Sequence, residues 1–424
     1  MNHHNYLFAL VDGGGNVPPE VSAARRLVGR GHSVTILAED SIALDVRSSG
    51  AVFRRWEHAP NRPDRKPGND PSRDWECKYP WQLVHRLNET LIVGPAERYA
   101  RDVSAAIETS PDLVVCSMFC VGAMIAAEKA GVPFDVLFTT IYPLPAEGIT
   151  PFGMGLRPAR TFIGRWRDRS LNLLAERLWD SGLTTLNALR RAYGLSPVAH
   201  AFDQLRGARR QLVQTSADFD FPWTPPPNVR YVGPVLDDPT WAEDTSWTPP
   251  RGPNPLVLVA MSSTYQDQIA SLQRVIDALG TLPVQAVVTT GPALDSSALH
   301  ARANVTIVRS APHRQVLQHA ALVVTHGGHG TVIKALAAGV PMVVLPHGRD
   351  QADTAARVDA RGAGLALKRS AGSAAIADAV RRILRDDSYR IAARRLGQTV
   401  CRDARSDALI RELEDIPDIQ GRAS

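Results

Sequence analysis

Between Ser216 and Pro255 the chain reads SADFDFPWTPPPNVRYVGPVLDDPTWAEDTSWTPPRGPNP, ten of its 31 prolines in 40 residues. Proline fixes its own φ, has no N–H to donate and pushes the preceding residue out of the helical region. Neither a long helix nor a central strand fits there, so the chain must fold as one unit before this stretch and another after it. Both flanks show the same alternation. Before it come NYLFALV, a helical stretch from Pro18 to Arg30, GHSVTILA, a helix near Ser41 to Ser49, PDLVVCSM, VGAMIAAEKAG, FDVLFTT and a mostly helical run from Thr161 to Tyr193. After it come LVLVAMSS, a helix from Ile269 to Leu279, VQAVVTT, NVTIVR, a helix near Val316 to His319, and helices from Ala374 onward. Short apolar runs alternating with helices predict βαβ units and parallel sheets. The expected division is an α/β, Rossmann-like doubly wound domain over 1–220, a linker over 221–255, a second such domain over 256–400, and a closing helix in 401–424 that packs back on the first. A chain of 424 residues is past the size at which one core keeps growing, which agrees with two domains. Ala59 to Pro80, rich in Pro, Asp and Arg, reads as a long loop, and such loops in compact domains usually serve function.

Composition narrows the function classes. With 44% apolar and 21% charged residues the chain is that of a globular protein. The net charge of +5 is spread along the sequence without basic blocks, so no nucleic-acid partner is expected. Cys77, Cys116, Cys120 and Cys401 lack metal-ligand spacing and read as free thiols of a reducing compartment. The N-terminus has no charged segment followed by an apolar core of signal length. The densest apolar run, Leu113 to Ala127, is shorter than the roughly 18 residues of a span. No membrane span and a cytoplasmic location are the expectation.

The chemistry concentrates in VVTHGGHGTVIKALAAGVPMVVLPHGRDQADTAARV, Val323 to Val358. A buried strand runs into HGGHGT, and a helix is predicted to begin at about Thr331. Glycines let backbone N–H groups approach a ligand and the helix N-terminus adds partial positive charge, which together suit a phosphate. Thr331 either caps the helix or offers its hydroxyl to the anion, and His326 at the strand end can donate to a phosphate oxygen. Asp218, Phe219 and Asp220 have the Asp-x-Asp spacing of metal-dependent transferases. Their place in the proline-dense stretch predicts an exposed turn, and no metal site is expected. Gly13 to Gly15 after the first strand suggest a nicotinamide-binding turn, but Pro18 takes the third glycine position of G-x-G-x-x-G and Glu39 fits the ribose-binding acid only loosely.

From APHRQVL (Ala311 to Leu317) through HGGHGT, ALAAGVPMVVLP and RDQADTAARV to GAGLAL, the sequence resembles the family 1 glycosyltransferases of GT-B fold. These use UDP- or TDP-activated sugars and include plant, animal and antibiotic-tailoring enzymes. GHSVTILA, PNVRYVGPV and LVLVAMSST extend the similarity. The resemblance implies two Rossmann-like domains facing across a cleft, no cofactor beyond the UDP- or TDP-sugar co-substrate, and no metal. It implies that His326, Gly328, Gly330, Thr331 and Ser263 hold the diphosphate, that Asp350 and Gln351 bond the sugar's hydroxyls, and that Ala311 and His313 lie at the nucleoside. The stacking tryptophan of plant members is Ser310 here.

The same resemblance places a histidine base in the loop after the first strand and an aspartate on a later strand that orients it. Here those positions hold Asn16 and Ser117. Neutral asparagine is no general base. Asp12 either reaches the acceptor or only caps its loop. Otherwise the acceptor is an acidic oxygen, nitrogen or carbon nucleophile, or the protein binds sugar nucleotide without turnover. The reaction expected is inverting transfer of a hexose or deoxyhexose to a small hydrophobic aglycone of secondary metabolism, with the acceptor pocket built by the long loop and the helices between Phe152 and Trp179. His58, His85 and the tryptophans near the loop and linker are read as acceptor walls or as ordinary surface and packing residues. A homodimer stays open.

Overall fold

The computed structural model describes residues 3–238 and 247–417. The first sheet contains β1 (Asn5–Ala9), β2 (Ser33–Ala38), β3 (Val52–Arg55), β4 (Leu113–Ser117), β5 (Phe134–Phe138), β6 (Arg210–Val213) and β7 (Val229–Tyr231). The second contains β8 (Leu256–Ala260), β9 (Gln285–Thr289), β10 (Val305–Val308), β11 (Ala320–Thr325), β12 (Met342–Val344) and β13 (Gly364–Ala366). Their orders are β3-β2-β1-β4-β5-β6-β7 and β10-β9-β8-β11-β12-β13, and every pairing is parallel. The central strands are continuous apolar runs, LVVCS in β4 and LVLVA in β8, buried at every residue. Helices cover both faces, so these strands meet no water and need no polar alternation. Each sheet reverses direction once, between β1 and β4 and between β8 and β11. A ligand crevice opens outside the strand ends at such a reversal.

The stretch expected to be wholly linker contributes a strand: β7 pairs with β6 through Gln211, Leu212 and Val213. Pro225 to Pro227 precede it, and the proline-dense approach is tolerated because β7 is the edge of its sheet. Residues 239–246, with Trp241, and residues 418–424 lie outside the described part.

The chain passes between the domains twice. Helix Ser388–Ala404 packs against helix His329–Ala337 of the second domain, where Gly397 lies against the Leu336 carbonyl too closely for any Cβ. Helix Ala408–Glu414 buries Leu409, Ile410 and Leu413 among Tyr6, Phe8, Val21 and Leu27 of the first domain. Arg30 donates to Glu414 at 2.8 Å and Arg210 to Glu412 at 2.9 Å. The two passages touch: the Ser216 hydroxyl donates to Asp403 at 2.6 Å. Gly233, at φ +81°, lies against the Asp403 carbonyl with no room for a side chain.

Further contacts close the cleft. Thr140 after β5 donates to Asp350 at 2.6 Å, and the Gly153 and Gly155 amides donate to Asp353. His329 and Thr215 share a 2.8 Å hydrogen bond. Asp220 pairs with Arg357 at 2.7 Å, both side chains buried. This corrects the exposed turn expected for Asp218 to Asp220. Only Asp218 is exposed, while Asp220 is drawn inward by a guanidinium that the second domain supplies.

The long loop is a strap. Arg62 bonds Glu39 at 2.9 and 3.1 Å and Arg65 bonds Asp12 at 2.8 Å, which fastens it over the ends of β1 and β2. Asp74 then meets Arg349 at 2.6 Å, and Trp75 packs edge-on against Tyr265, ring centres 5.0 Å apart, in the second domain.

Candidate active site

The loop after β11 is shaped by two glycines. Gly327 has φ +94°, and a Cβ there would lie 2.8 Å from Val344. A Cβ on Gly328 would sit 2.6 Å from the His326 ring, so the ring packs directly on the turn. Helix His329–Ala337 starts with Gly328 at its N-cap and no side-chain capping bond. Thr331 therefore lies inside the first turn and is not the cap. Glycine at the cap leaves the first N–H groups of the helix without a side-chain acceptor. Gly330 is exposed, with open space where a side chain would project.

His326 is buried, and its environment keeps it neutral. Burial lowers its pKa to about 3, with the neighbouring His347 adding to the effect and a ring hydrogen bond to the Ala260 carbonyl opposing it. In the nucleotide-free protein the ring is expected to stay uncharged as pH falls from 7 to 5, because that whole range lies above its pKa while an exposed imidazole would gain its proton there. Ring carbon and nitrogen NMR shifts of His326 across this range check it. Titration near 6.5 would contradict the burial.

The neighbouring strand ends bring the other expected residues to the same edge. Ser263 follows β8 and faces the first domain: a Cβ on Gly14 would come 3.2 Å from its hydroxyl and 2.5 Å from Thr264. Ala311 is buried after β10. His313 begins helix His313–His319 and shares a 3.1 Å hydrogen bond with Thr289. Burial, helped by the Lys334 charge, lowers its pKa to about 4. Asp350 and Gln351 follow β12. Burial raises the Asp350 carboxyl against the opposing bond from Thr140. The Gln351 amide is engaged at both ends, accepting from His347 N at 2.7 Å and Gly348 N at 3.2 Å and donating to Gln266 at 2.8 Å. It holds the loop that presents Asp350.

Opposite lies the loop after β1. Asp12 is fully committed: it accepts from Gly14 N at 2.9 Å, Ser41 Oγ at 2.8 Å and Arg65 Nε at 2.8 Å. Burial opposes its charge, but Arg65 and Arg62 outweigh burial and hold the carboxyl below its usual range. The geometry is that of a loop cap and a weak base. Asn16 and Ser117 do come together, with a third residue between them that sequence reading passed over. Asn16 Nδ2 donates to Val11 O at 2.8 Å and to Glu20 Oε2 at 2.9 Å. Glu20, on helix Val17–Gly29, is 1% exposed. Burial pushes its carboxyl well above the usual range, the nearby hydroxyl of Ser117 and the Asn16 amide oppose this, and the Asp12 charge adds to it. Asn16 Oδ1 is buried without a hydrogen-bond partner, and the buried Ser117 Oγ has only the Glu20 carboxyl beside it.

Arg349 was also unmarked in the sequence. It holds φ +56°, a conformation that costs a non-glycine residue energy and that clusters at ligand sites. From there it reaches Asp74 and, at 3.1 Å, Thr264 Oγ1, which joins the strap to the loop after β8. His58 pairs with Asp102 at 2.6 Å and His85 with Glu89 at 3.2 Å. Trp223 stacks on Tyr142, ring centres 4.9 Å apart, and donates to Tyr231 at 2.8 Å. Tyr79, Trp81, Phe162, Ile163 and Trp166 are exposed on neighbouring first-domain helices. Among the described residues no group of three or more His, Cys, Asp or Glu is placed to hold a metal ion, and no helix is long and apolar enough to cross a membrane. The four cysteines are unpaired.

Residues 273–416 match the family model described as erythromycin biosynthesis protein CIII-like, C-terminal domain. The chain is 31% identical over 419 residues to 4'-demethylrebeccamycin synthase of Lentzea aerocolonigenes, covering 95% of this chain and 97% of that one. Among solved structures it superposes on the calicheamicin glycosyltransferase CalG4 with a TM-score of 0.74 at 24% identity, over 100% of both chains. The spinosyn rhamnosyltransferase SpnG, solved with thymidine diphosphate, superposes with a TM-score of 0.69 at 19% identity over 97% of this chain and 100% of that one. This chain belongs to the GT-B glycosyltransferases of antibiotic and natural-product biosynthesis.

Proposed function

We propose that the enzyme transfers a hexose or deoxyhexose, with inversion and without a metal, from a UDP- or TDP-sugar to a small hydrophobic aglycone. One observation carries the donor half of this reading: an uncapped helix N-terminus follows a glycine turn that is packed against the neutral His326. Bond cleavage leaves negative charge on the nucleoside diphosphate. Preorganised backbone N–H groups at Gly328 to Thr331 stabilise that charge without reorganising. The order of strands along the edge gives the donor a direction. The nucleoside lies at Ala311 and His313 beyond β9 and β10, the diphosphate at Ser263 and His326 between β8 and β11, and the sugar at Asp350 beyond β12. Asp350, one oxygen of which accepts from Thr140, bonds the sugar hydroxyls, and Gln351 serves the sugar by exchanging partners within its loop.

On the acceptor side, exposed Tyr79, Trp81, Phe162 and Trp166 offer an apolar surface suited to a hydrophobic aglycone. With Asp12 committed to Arg65, the nucleophile is one that loses its proton readily, an acidic O–H or N–H. The similarity to 4'-demethylrebeccamycin synthase and to a spinosyn rhamnosyltransferase agrees with an aglycone of secondary metabolism.

The test is a thermal-shift series with UDP, TDP and their glucose derivatives. A ligand that binds the folded state at a hundredfold excess over Kd adds about 2.7 kcal/mol of stability, readily seen as a raised midpoint. One nucleotide should stabilise selectively, and the Gly328→Val variant should lose the shift. Equal indifference to all of them would overturn the donor site.

A further inference from the structure

At the end of β1 an asparagine has both hydrogens of its amide assigned and its oxygen unassigned. Asn16 Nδ2 gives one hydrogen to Val11 O and the other to Glu20 Oε2, at 2.8 and 2.9 Å. This fixes which end of the amide is nitrogen, since neither partner could pair with the oxygen while the Glu20 oxygen facing it only accepts. Asn16 Oδ1 is left buried, under Gly13 and beside Phe119, with no donor in reach. A buried acceptor without a partner costs free energy that an arriving N–H or O–H recovers.

We propose that Glu20 is a positioning residue: it locks the Asn16 amide so that Oδ1 receives a hydrogen bond from the acceptor's nucleophilic N–H or O–H group. The proposal rests on the sugar-transfer reading above and adds to it the acceptor's contact. Burial of the Glu20 carboxyl favours its uncharged form, with Oε2 accepting from Asn16 and the carboxyl lying beside the Ser117 hydroxyl. Asn16 does not take the nucleophile's proton. It orients the nucleophile and leaves deprotonation to the acceptor's own acidity, so an acceptor with no N–H or O–H at the reacting atom gains nothing from this site.

The choice of a neutral carboxyl makes a sharp distinction between variants. Glu20→Gln keeps an oxygen for Asn16 and an N–H for Ser117, so it should behave as the wild type. Glu20→Met fills the space without either group. It should raise KM for phenol and indole acceptors about tenfold, the worth of one hydrogen bond, leave the thermal shift by TDP or UDP unchanged, and release the Asn16 side-chain amide to fast hydrogen exchange in ¹⁵N NMR. An unchanged Asn16 amide signal in Glu20→Met would overturn the proposal whatever acceptor is used. So would a Glu20→Gln enzyme as impaired as Glu20→Met, because the ionised carboxylate would then be the working form. Should Glu20→Met not fold, Asn16→Leu takes its place, and an acceptor KM equal to the wild type's would be just as decisive against it. Failure of nucleotides to stabilise the wild type would count against the donor site and leave the Asn16 amide measurement intact.

Discussion

Replacing His326 by alanine is expected to cut kcat/KM for sugar transfer by about 10²- to 10³-fold, the loss typical when preorganised donors to a developing negative charge are displaced. The neutral ring gives its hydrogen bond to the Ala260 carbonyl and props the glycine turn, because Gly328 packs on it at a distance no other residue could tolerate. Removing the ring leaves a void beneath the amides that face the diphosphate. His326→Asn, which retains part of the prop, should fall between the wild type and alanine. Steady-state kinetics with the nucleotide sugar chosen by thermal shift give the comparison. An alanine variant with unchanged kcat/KM would remove His326 from the donor site.

The largest effect on stability is expected from Asp220→Ala, a loss of about 3–5 kcal/mol, the cost of leaving one member of a buried ion pair uncompensated. Arg357 donates to Asp220 at 2.8 Å through Nε, its guanidinium lies over the Phe221 ring 4.4 Å from the centre, and the Tyr231 hydroxyl donates to the other carboxylate oxygen at 2.6 Å. Arg357 and Asp220 are both buried, so without Asp220 the guanidinium keeps, besides the Phe221 ring, only its bond to the Asp353 carbonyl and the field of the Asp353 carboxylate. The double variant Asp220→Leu with Arg357→Met should recover much of the loss, since buried pairs are often replaced by apolar side chains at little net cost. Urea denaturation of the three proteins measures both effects. Equal stability of Asp220→Ala and wild type would mean that the pair is solvated.

The elements that the sequence reveals plainly are those whose cause is local. LVLVA can be little else than a buried parallel strand, and HGGHGT after LVVT announces a turn into a helix. The edge strand β3, VFRR, escaped because two of its four residues are arginines and its end residues, Val52 and Arg55, are exposed. Asp220 was misread because its partner lies 137 residues further on in another domain, and no local pattern records such a contact. Of the two roles open to Thr331, cap or hydroxyl for an anion, the cap falls because the helix begins three residues earlier at Gly328. Glu20 was missed for a related reason. An acidic residue in a first helical turn usually faces solvent and the helix dipole, whereas this one is turned inward beneath Ser117. Its spacing of four from Asn16 was the one available sign, since residues so placed share a helix face.

The pairing of Ser216 with Asp403, where the two covalent passages between domains meet, has a mechanical consequence. Two separated connections would act as a door on a pair of hinges, with one permitted axis. Connections that touch act more like a ball joint, which allows the halves to swing and twist about a single spot. Opening of the cleft then requires that ties away from that pivot let go, Thr140 from Asp350, Gly153 and Gly155 from Asp353 and the strap's Asp74 and Trp75 from Arg349 and Tyr265, and their re-formation registers that the two halves have come back into alignment.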